Sequence, residues 1–269
     1  MSIAVTDLDA SVDLDAYLAR IGLSGPVEVS EEGLVRLHRA HAQAVPFENL
    51  DILLGTPIRG DLPGIFDKLV MRRRGGYCFE QNGLFGAMLV KFGFQATSLL
   101  GRSIFGSPTP RPRGHLITQV QIGKRLWIAD VGFGGYGLLE PLRFEPETEQ
   151  QAGGETYRII ASSTGFEVEM RTDGAWKSLY WADFAPCYPV DVEVMNFYHG
   201  NSPASFFNQT RVVARTLPDR RLLLTGNELK SVTKDGAGPV ELIDGIDQYK
   251  RVLADQFGIH LPAGAIFRD

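Results

Sequence analysis

Two β-type runs, 115–122 and 125–131, are separated by only Gly123-Lys124, and this spacing constrains the chain more than any other feature. A two-residue connection with glycine at its first position suits a tight antiparallel hairpin. If Ile122 faces Arg125, paired residue numbers sum to 247. Asp130 then lies opposite Ile117 and diagonal to His115, and both side chains point to one face, with Cβ atoms roughly 7 Å apart or less. An imidazole and a carboxylate can close that gap.

Upstream of the hairpin the pattern is helical. Leu14, Leu18 and Ile21 form a stripe closed by Gly22, and Ser30 is placed to cap a helix carrying Leu34, Leu37 and His41 until Pro46 ends it. Asp61 and Pro63 open a third helix leading to the basic run Arg72 to Arg74. Downstream, 96–105 reads as a strand, 106–114 as a Pro-rich loop, and 155–180 as a three-strand meander with turns at 163–165 and 173–174. A helix from Pro189, strands near 211–217, 222–225 and 229–233, and a last helix with Ile246, Tyr249, Leu253 and Phe257 complete the chain. The fold class expected is α+β, divided into a helical part (1–92), a β-barrel or sandwich (93–190) and a C-terminal part (191–269).

The stretch Arg74-Gly75-Gly76-Tyr77-Cys78-Phe79-Glu80 precedes Leu84, Met88 and Phe92 at helical spacing, with Gly93 as the stop. Cys78 therefore falls at or beside a helix N-terminus, where unpaired N–H groups and the macrodipole favour an anion. A nucleophilic cysteine belongs there. Cys187, before Tyr188-Pro189, has no such setting and is expected to be structural. Two cysteines are too few for a disulfide scaffold. His38 and His41 share a helix face without a matching carboxylate or cysteine, so they are expected to pack rather than to hold a metal, and no metal is assigned.

Among 269 residues, a net charge of −5 argues against nucleic acid or an anionic membrane as the main partner. There is no long apolar run, and Met1 to Leu23 reads as neither signal peptide nor anchor, so a cytoplasmic protein is expected.

Cys78, His115 and Asp130 supply a nucleophile, a base and an orienting carboxylate, with the Cys78 N–H available to an oxyanion. The implied chemistry is acyl transfer. The Gly-rich run Val131 to Gly137 beside Asp130 is either a flexible site wall or a phosphate cradle, since it fits neither dinucleotide nor P-loop spacing. Cysteine hydrolases of the transglutaminase or papain type use the same three residues in the same order, and a non-catalytic binding module is a further alternative.

The motifs Val45-Pro46-Phe47-Glu48-Asn49-Leu50, Arg74 to Glu80, Gly114-His115 and Asp130-Val131-Gly132-Phe133-Gly134 together resemble the arylamine N-acetyltransferases, in order, spacing and overall length. That resemblance implies a helical first domain, a central β-barrel and a C-terminal α/β lid, with Cys78, His115 and Asp130 as the triad. It implies ping-pong transfer from acetyl-coenzyme A, as a substrate rather than a tightly bound cofactor, to arylamines, arylhydrazines or N-hydroxyarylamines. Phe47 and Phe133 are candidates for the acceptor wall, and Gly132, Gly134 and Gly135 for coenzyme contacts. An amide synthase closing an amide on a biosynthetic intermediate shares these motifs.

Overall fold

The structure, a computed structural model, describes residues 12–107, 109–234, 236–262 and 264–268. Helix α1 (Leu14–Arg20) starts where Asp13 accepts the Asp15 N–H, and the chain leaves it through Gly22 at φ +71. Helix α2 (Glu31–Ala44) starts at Ser30, whose hydroxyl accepts the Gly33 N–H at 3.0 Å, and Glu31 and Glu32 occupy its first turn. A cap of this kind contributes about 1 kcal/mol. Val45, held extended by the following Pro46, ends the helix. Strand β1 (Phe47–Glu48) and helix α3 (Leu50–Leu53) come next, each too short to leave a periodic signature.

Helix α4 (Leu62–Phe66) is capped by Asp61 and runs into a π-helical turn, Asp67–Met71. Helix α5 (Cys78–Phe92) is buried on most of its circumference. Gly93, at φ +98, closes it, and the Phe94 N–H returns to the Leu89 carbonyl at 3.0 Å.

Strands β2 (Gln95–Ser103), β3 (His115–Ile122), β4 (Arg125–Ala129), β5 (Leu142–Arg143), β6 (Gln150–Ala152), β7 (Glu155–Ser162), β8 (Gly165–Thr172) and β9 (Ala175–Pro186) form one antiparallel sheet in the order β5-β4-β3-β2-β9-β8-β7-β6. The β3–β4 register is the one expected, from Ile122 opposite Arg125 to Thr118 opposite Ala129, with Gly123 at φ +58. Between the two edge strands, the Gln150 carboxamide accepts the Arg143 N–H at 2.9 Å and donates to the Arg143 carbonyl at 2.8 Å. This side chain stands in for a strand pair and draws the sheet into a barrel. Ile117 and Ile128 point into the barrel core, while Val120, Trp127 and Ala129 pack on the helices.

The chain then forms α6 (Pro189–Asn201) and α7 (Phe206–Gln209), and strands β10 (Val212–Thr216), β11 (Arg221–Thr225), β12 (Glu228–Thr233) and β13 (Gly236–Leu242). Helix α8 (Gly245–Val252) continues into a π-helical turn, Leu253–Phe257, that ends at Gly258 with φ +68. The second sheet runs β1-β10-β11-β12-β13, so it borrows its first strand from the helical part, with Phe47 opposite Ala214. Asn49 reinforces that join by donating to the Phe207 and Thr210 carbonyls and accepting the Val212 N–H. No helix among the described residues is long and apolar enough to cross a membrane.

Candidate active site

Cys78 is the first residue of α5, in the turn whose N–H groups the helix does not consume. Glu80 accepts the Tyr77 N–H at 3.1 Å, the returning half of a capping box. Gly75 and Gly76 precede it for a reason other than tight turning, since neither adopts positive φ. The chain here lies against Pro46 to Glu48, with the Glu48 N–H on the Gly76 carbonyl at 3.0 Å. A Cβ at Gly75 would press on the Pro46 carbonyl, and one at Gly76 would sit 2.8 Å from the Glu80 side chain.

Beneath this corner lies a buried ion network. Arg74 grips Glu48 with two N–H groups at 2.8 and 2.9 Å and reaches Asp51 at 2.8 Å, while Lys68 bridges Asp51 at 2.8 Å and Glu80 at 2.7 Å. Burial works against these charges, but the facing cations hold the Asp51 carboxyl below its ordinary range, and the carboxylates raise Lys68 and Arg74. Burial raises the Glu80 carboxyl despite Lys68. Arg74 is thus a buried structural cation, whereas Arg72 makes an exposed ion pair with Asp67 at 2.8 Å.

His115 opens β3 and Asp130 follows β4, and the hairpin brings His115 Nε2 within 2.7 Å of Asp130 Oδ2. Asp130 is fully buried and its other oxygen accepts from Asn82 Nδ2 at 2.8 Å and the Gly132 N–H at 2.9 Å. Burial opposes its charge, yet His115 and these donors hold the carboxyl below 3.8. For His115, burial alone lowers the imidazolium, and Asp130 together with the Cys78 sulfur more than reverses this, raising it to about 10. With Nε2 committed to Asp130, Nδ1 is the nitrogen left for exchange with the sulfur. The thiol itself points to the Gly114 carbonyl at 3.5 Å.

Two supporting residues carry no motif signal. Asn82, one helical turn beyond Cys78, ties α5 to the hairpin: besides Asp130 it donates to the Leu116 carbonyl at 2.7 Å and accepts the Val131 N–H at 2.9 Å. Its i+4 spacing from Cys78 was the available clue. His38, expected only to pack, accepts the Asp130 N–H at Nε2 and donates from Nδ1 to the Leu139 carbonyl, which fixes a neutral tautomer. Burial lowers it to about 4, and lowers His41, bonded to Tyr17, to about 3. Among the described residues no group of three or more His, Cys, Asp or Glu is placed to hold a metal.

A cavity of about 360 Å³ opens over Cys78 and His115, and Phe47, Phe133, Gly132, Gly134 and Gly135 all line it. Asp130 lies behind His115, fully buried. Phe133 meets the His115 ring edge-on with centroids 5.1 Å apart, and Tyr180 lies 4.9 Å from it. From α6 and α7 come His199 and Phe207, which sequence reading did not single out. The Gly132 and Val131 N–H groups are spent on Asp130 and Asn82. Gly132 thus serves through its missing side chain, since a Cβ there would lie 2.9 Å from Cys78 Cα. Gly132→Ala is expected to overpack this contact by roughly 1–3 kcal/mol and to slow alkylation of Cys78 about tenfold or more, measured with iodoacetamide against wild type. Unchanged reactivity would show that the contact is slack. A larger cavity, about 1210 Å³, lies on the Gly83–Gly86 face of α5 and touches none of Cys78, His115 and Asp130. Cys187 borders it, its thiol pushed up to about 12 by burial.

A family model described as N-acetyltransferase matches residues 32–266. The chain is 36% identical over 248 residues to the arylamine N-acetyltransferase / N-hydroxyarylamine O-acetyltransferase of Salmonella typhimurium, covering 91% of this chain and 88% of that one. Its backbone superposes on a Mycobacterium smegmatis arylamine N-acetyltransferase variant with a TM-score of 0.90, at 34% identity and 94% and 96% coverage. It matches the Mycobacterium marinum arylamine N-acetyltransferase in complex with CoA at a TM-score of 0.87 and 33% identity, covering 92% and 93%.

Proposed function

Because this chain belongs to the arylamine N-acetyltransferase family, we propose that it transfers an acetyl group from acetyl-coenzyme A to arylamines, arylhydrazines or N-hydroxyarylamines through an acetyl-cysteine at Cys78. The observation that carries the mechanism is the closed His115–Asp130 pair beside a thiol at a helix N-terminus, within an aromatic-walled cavity.

In the first half-reaction the Cys78 proton is held on His115 Nδ1, whose imidazolium Asp130 and the sulfur stabilise, and the sulfur attacks the thioester carbonyl. The oxyanion that develops is met by the Cys78 N–H. The bond to the coenzyme sulfur then breaks, and the imidazolium returns its proton to the leaving thiolate. That proton transfer leaves the imidazole neutral, and acetylation removes the sulfur's smaller share in raising it, so His115 can work as a base.

In the second half the acceptor attacks the acetyl carbon, His115 takes its proton, and Cys78 sulfur departs. Aromatic amines suit this step because they are largely unprotonated near neutral pH. For an N-hydroxyarylamine, the name of the Salmonella relative points to the hydroxyl oxygen as a second acceptor atom. Phe47 and Phe133 form the acceptor wall, and Gly132, Gly134 and Gly135 form the face along which the coenzyme passes. The CoA complex of the Mycobacterium marinum relative supports coenzyme A as the donor. The division at residues 92 and 190, a cytoplasmic setting, and small molecules rather than nucleic acid or membrane as partners belong to the same proposal.

The test is intact mass after exposure to acetyl-coenzyme A alone, then after adding an anisidine. Wild type is expected to gain one acetyl group and lose it as acetylated amine accumulates, while Cys78→Ala gains none. An adduct that survives every small amine would favour the amide synthase reading, and no adduct on folded, reduced protein would remove acetyl-coenzyme A as donor.

A further inference from the structure

We propose that His199, on α6, is a positioning residue that holds the Gly114 carbonyl and thereby favours the charge-separated form of the Cys78–His115 pair. This inference rests on the reading of Cys78, His115 and Asp130 as the acyl-transfer triad.

The Gly114 carbonyl has two neighbours. Cys78 Sγ lies 3.5 Å from its oxygen, and His199 Nε2 lies 3.1 Å from it. A carbonyl oxygen only accepts, so Nε2 carries a proton, and Nδ1 of the neutral ring is left to accept the Ser205 hydroxyl at 3.3 Å. Ser205 is buried, and burial followed by the nearby His115 keeps His199 below its ordinary range, although the Gly114 bond works the other way. The ring is thus a neutral donor with a fixed tautomer.

Position 114 is built for this approach. A Cβ on Gly114 would lie 2.6 Å from His199 Nε2 and 3.0 Å from Met195 Cε, so only glycine admits the imidazole. The ring is wedged among Tyr77 at 5.9 Å, Phe79 at 5.8 Å and Phe207 at 5.2 Å, and Tyr77 hydroxyl donates to Asn196, one turn earlier on α6. The helix is thereby pinned at the residue that precedes Cys78 and at the residue that precedes His115.

The consequence is electrostatic. An unshared carbonyl beside a sulfur accepts S–H and repels S⁻, so it holds the proton on sulfur and away from His115. An N–H donated to the same oxygen sets a positive dipole end beside it and weakens both effects. The other titratable or charged groups facing this corner are Arg111 in the loop before β3, His115 on β3, Asp130 after β4, Tyr180 on β9, Tyr77 and Glu80 at the head of α5, and Tyr198 on α6 itself. None of them donates to the Gly114 oxygen.

The test follows iodoacetamide labelling of the Cys78 peptide across pH, with Cys187 in the same molecule as the slow reference. His199→Phe keeps the ring packing and loses the donor, while His199→Gln keeps an N–H able to reach Gly114. For His199→Phe the midpoint of the Cys78 rate is expected to rise by about 0.5–1 pH unit, with labelling at neutral pH about 3- to 10-fold slower, and His199→Gln is expected within about twofold of wild type. A midpoint unchanged in His199→Phe, or displaced equally in both variants, would overturn the inference while leaving the triad intact. A wild type whose Cys78 labels no faster than Cys187 would overturn the triad reading itself, and this inference with it.

Discussion

Asp130→Asn is expected to cut kcat/KM for arylamine acetylation by roughly 10³–10⁴-fold while leaving the protein folded. The direction follows from which way the new amide must face. Oδ1 of Asp130 accepts from Asn82 Nδ2 and the Gly132 N–H, and both donors are fixed. The amide oxygen of an asparagine has to take that position, so its NH₂ faces His115 Nε2. His115 must then accept at Nε2 and carry its proton on Nδ1, the nitrogen that has to receive the Cys78 proton. The base is present in the wrong tautomer.

The same substitution has a signature in stability against pH. His115 is raised from 6.5 to about 10, so its contribution is complete below about 6.5 and lost as pH rises through about 10. Asp130 is depressed below 3.8, so its contribution is present above that value and lost as pH falls through the lowered one. The stability difference between wild type and Asp130→Asn, from urea denaturation, is therefore expected to be level between about pH 4 and 6.5 and to shrink towards pH 10. A difference that is flat across the alkaline range would mean that the pair is not ionised in the native state.

The second large effect concerns stability rather than chemistry. Arg74→Ala strips Glu48 and Asp51 of their shared guanidinium in a buried setting, and uncompensated buried charge of this kind costs roughly 3–5 kcal/mol. Arg72→Ala, two residues earlier, removes a partner from an exposed pair and is expected to change stability by less than about 0.5 kcal/mol. Urea denaturation of the two variants side by side decides the matter, and equal small losses would show that Arg74 is replaceable by water. Arg74→Lys is not expected to recover the loss, because one ammonium cannot reproduce the two-pronged grip on Glu48.

The parts of this structure that could be read from sequence are those whose information is local. Ser30, Gly93 and the Gly123-Lys124 turn each act within a few residues, and the hairpin register placed Asp130 beside His115 because pairing is arithmetic once the turn is known. Membership of a family drew the same three residues together from motifs alone.

What escaped was non-local or too short to repeat. Glu48 and Arg74 are 26 residues apart and His38 and Asp130 are 92 apart, and nothing in either neighbourhood announces the partner. Strand β13 contains Gly236, Gly238 and Pro239 and is exposed throughout, so it lacks both propensity and alternation. Ile246 fits the apolar stripe of the last helix yet is 41% exposed, lying in the first turn of α8 while Tyr249, Leu253 and Phe257 are buried.

The strand that the helical part lends to the second sheet sets the scale of motion available to catalysis. Swinging the second sheet away as a rigid door would tear the β1–β10 ladder and the three hydrogen bonds of Asn49, and would drag Phe47 away from the cavity over Cys78. Substrate traffic therefore has to proceed with this sheet in place. The molecule behaves as a box with a stitched hinge.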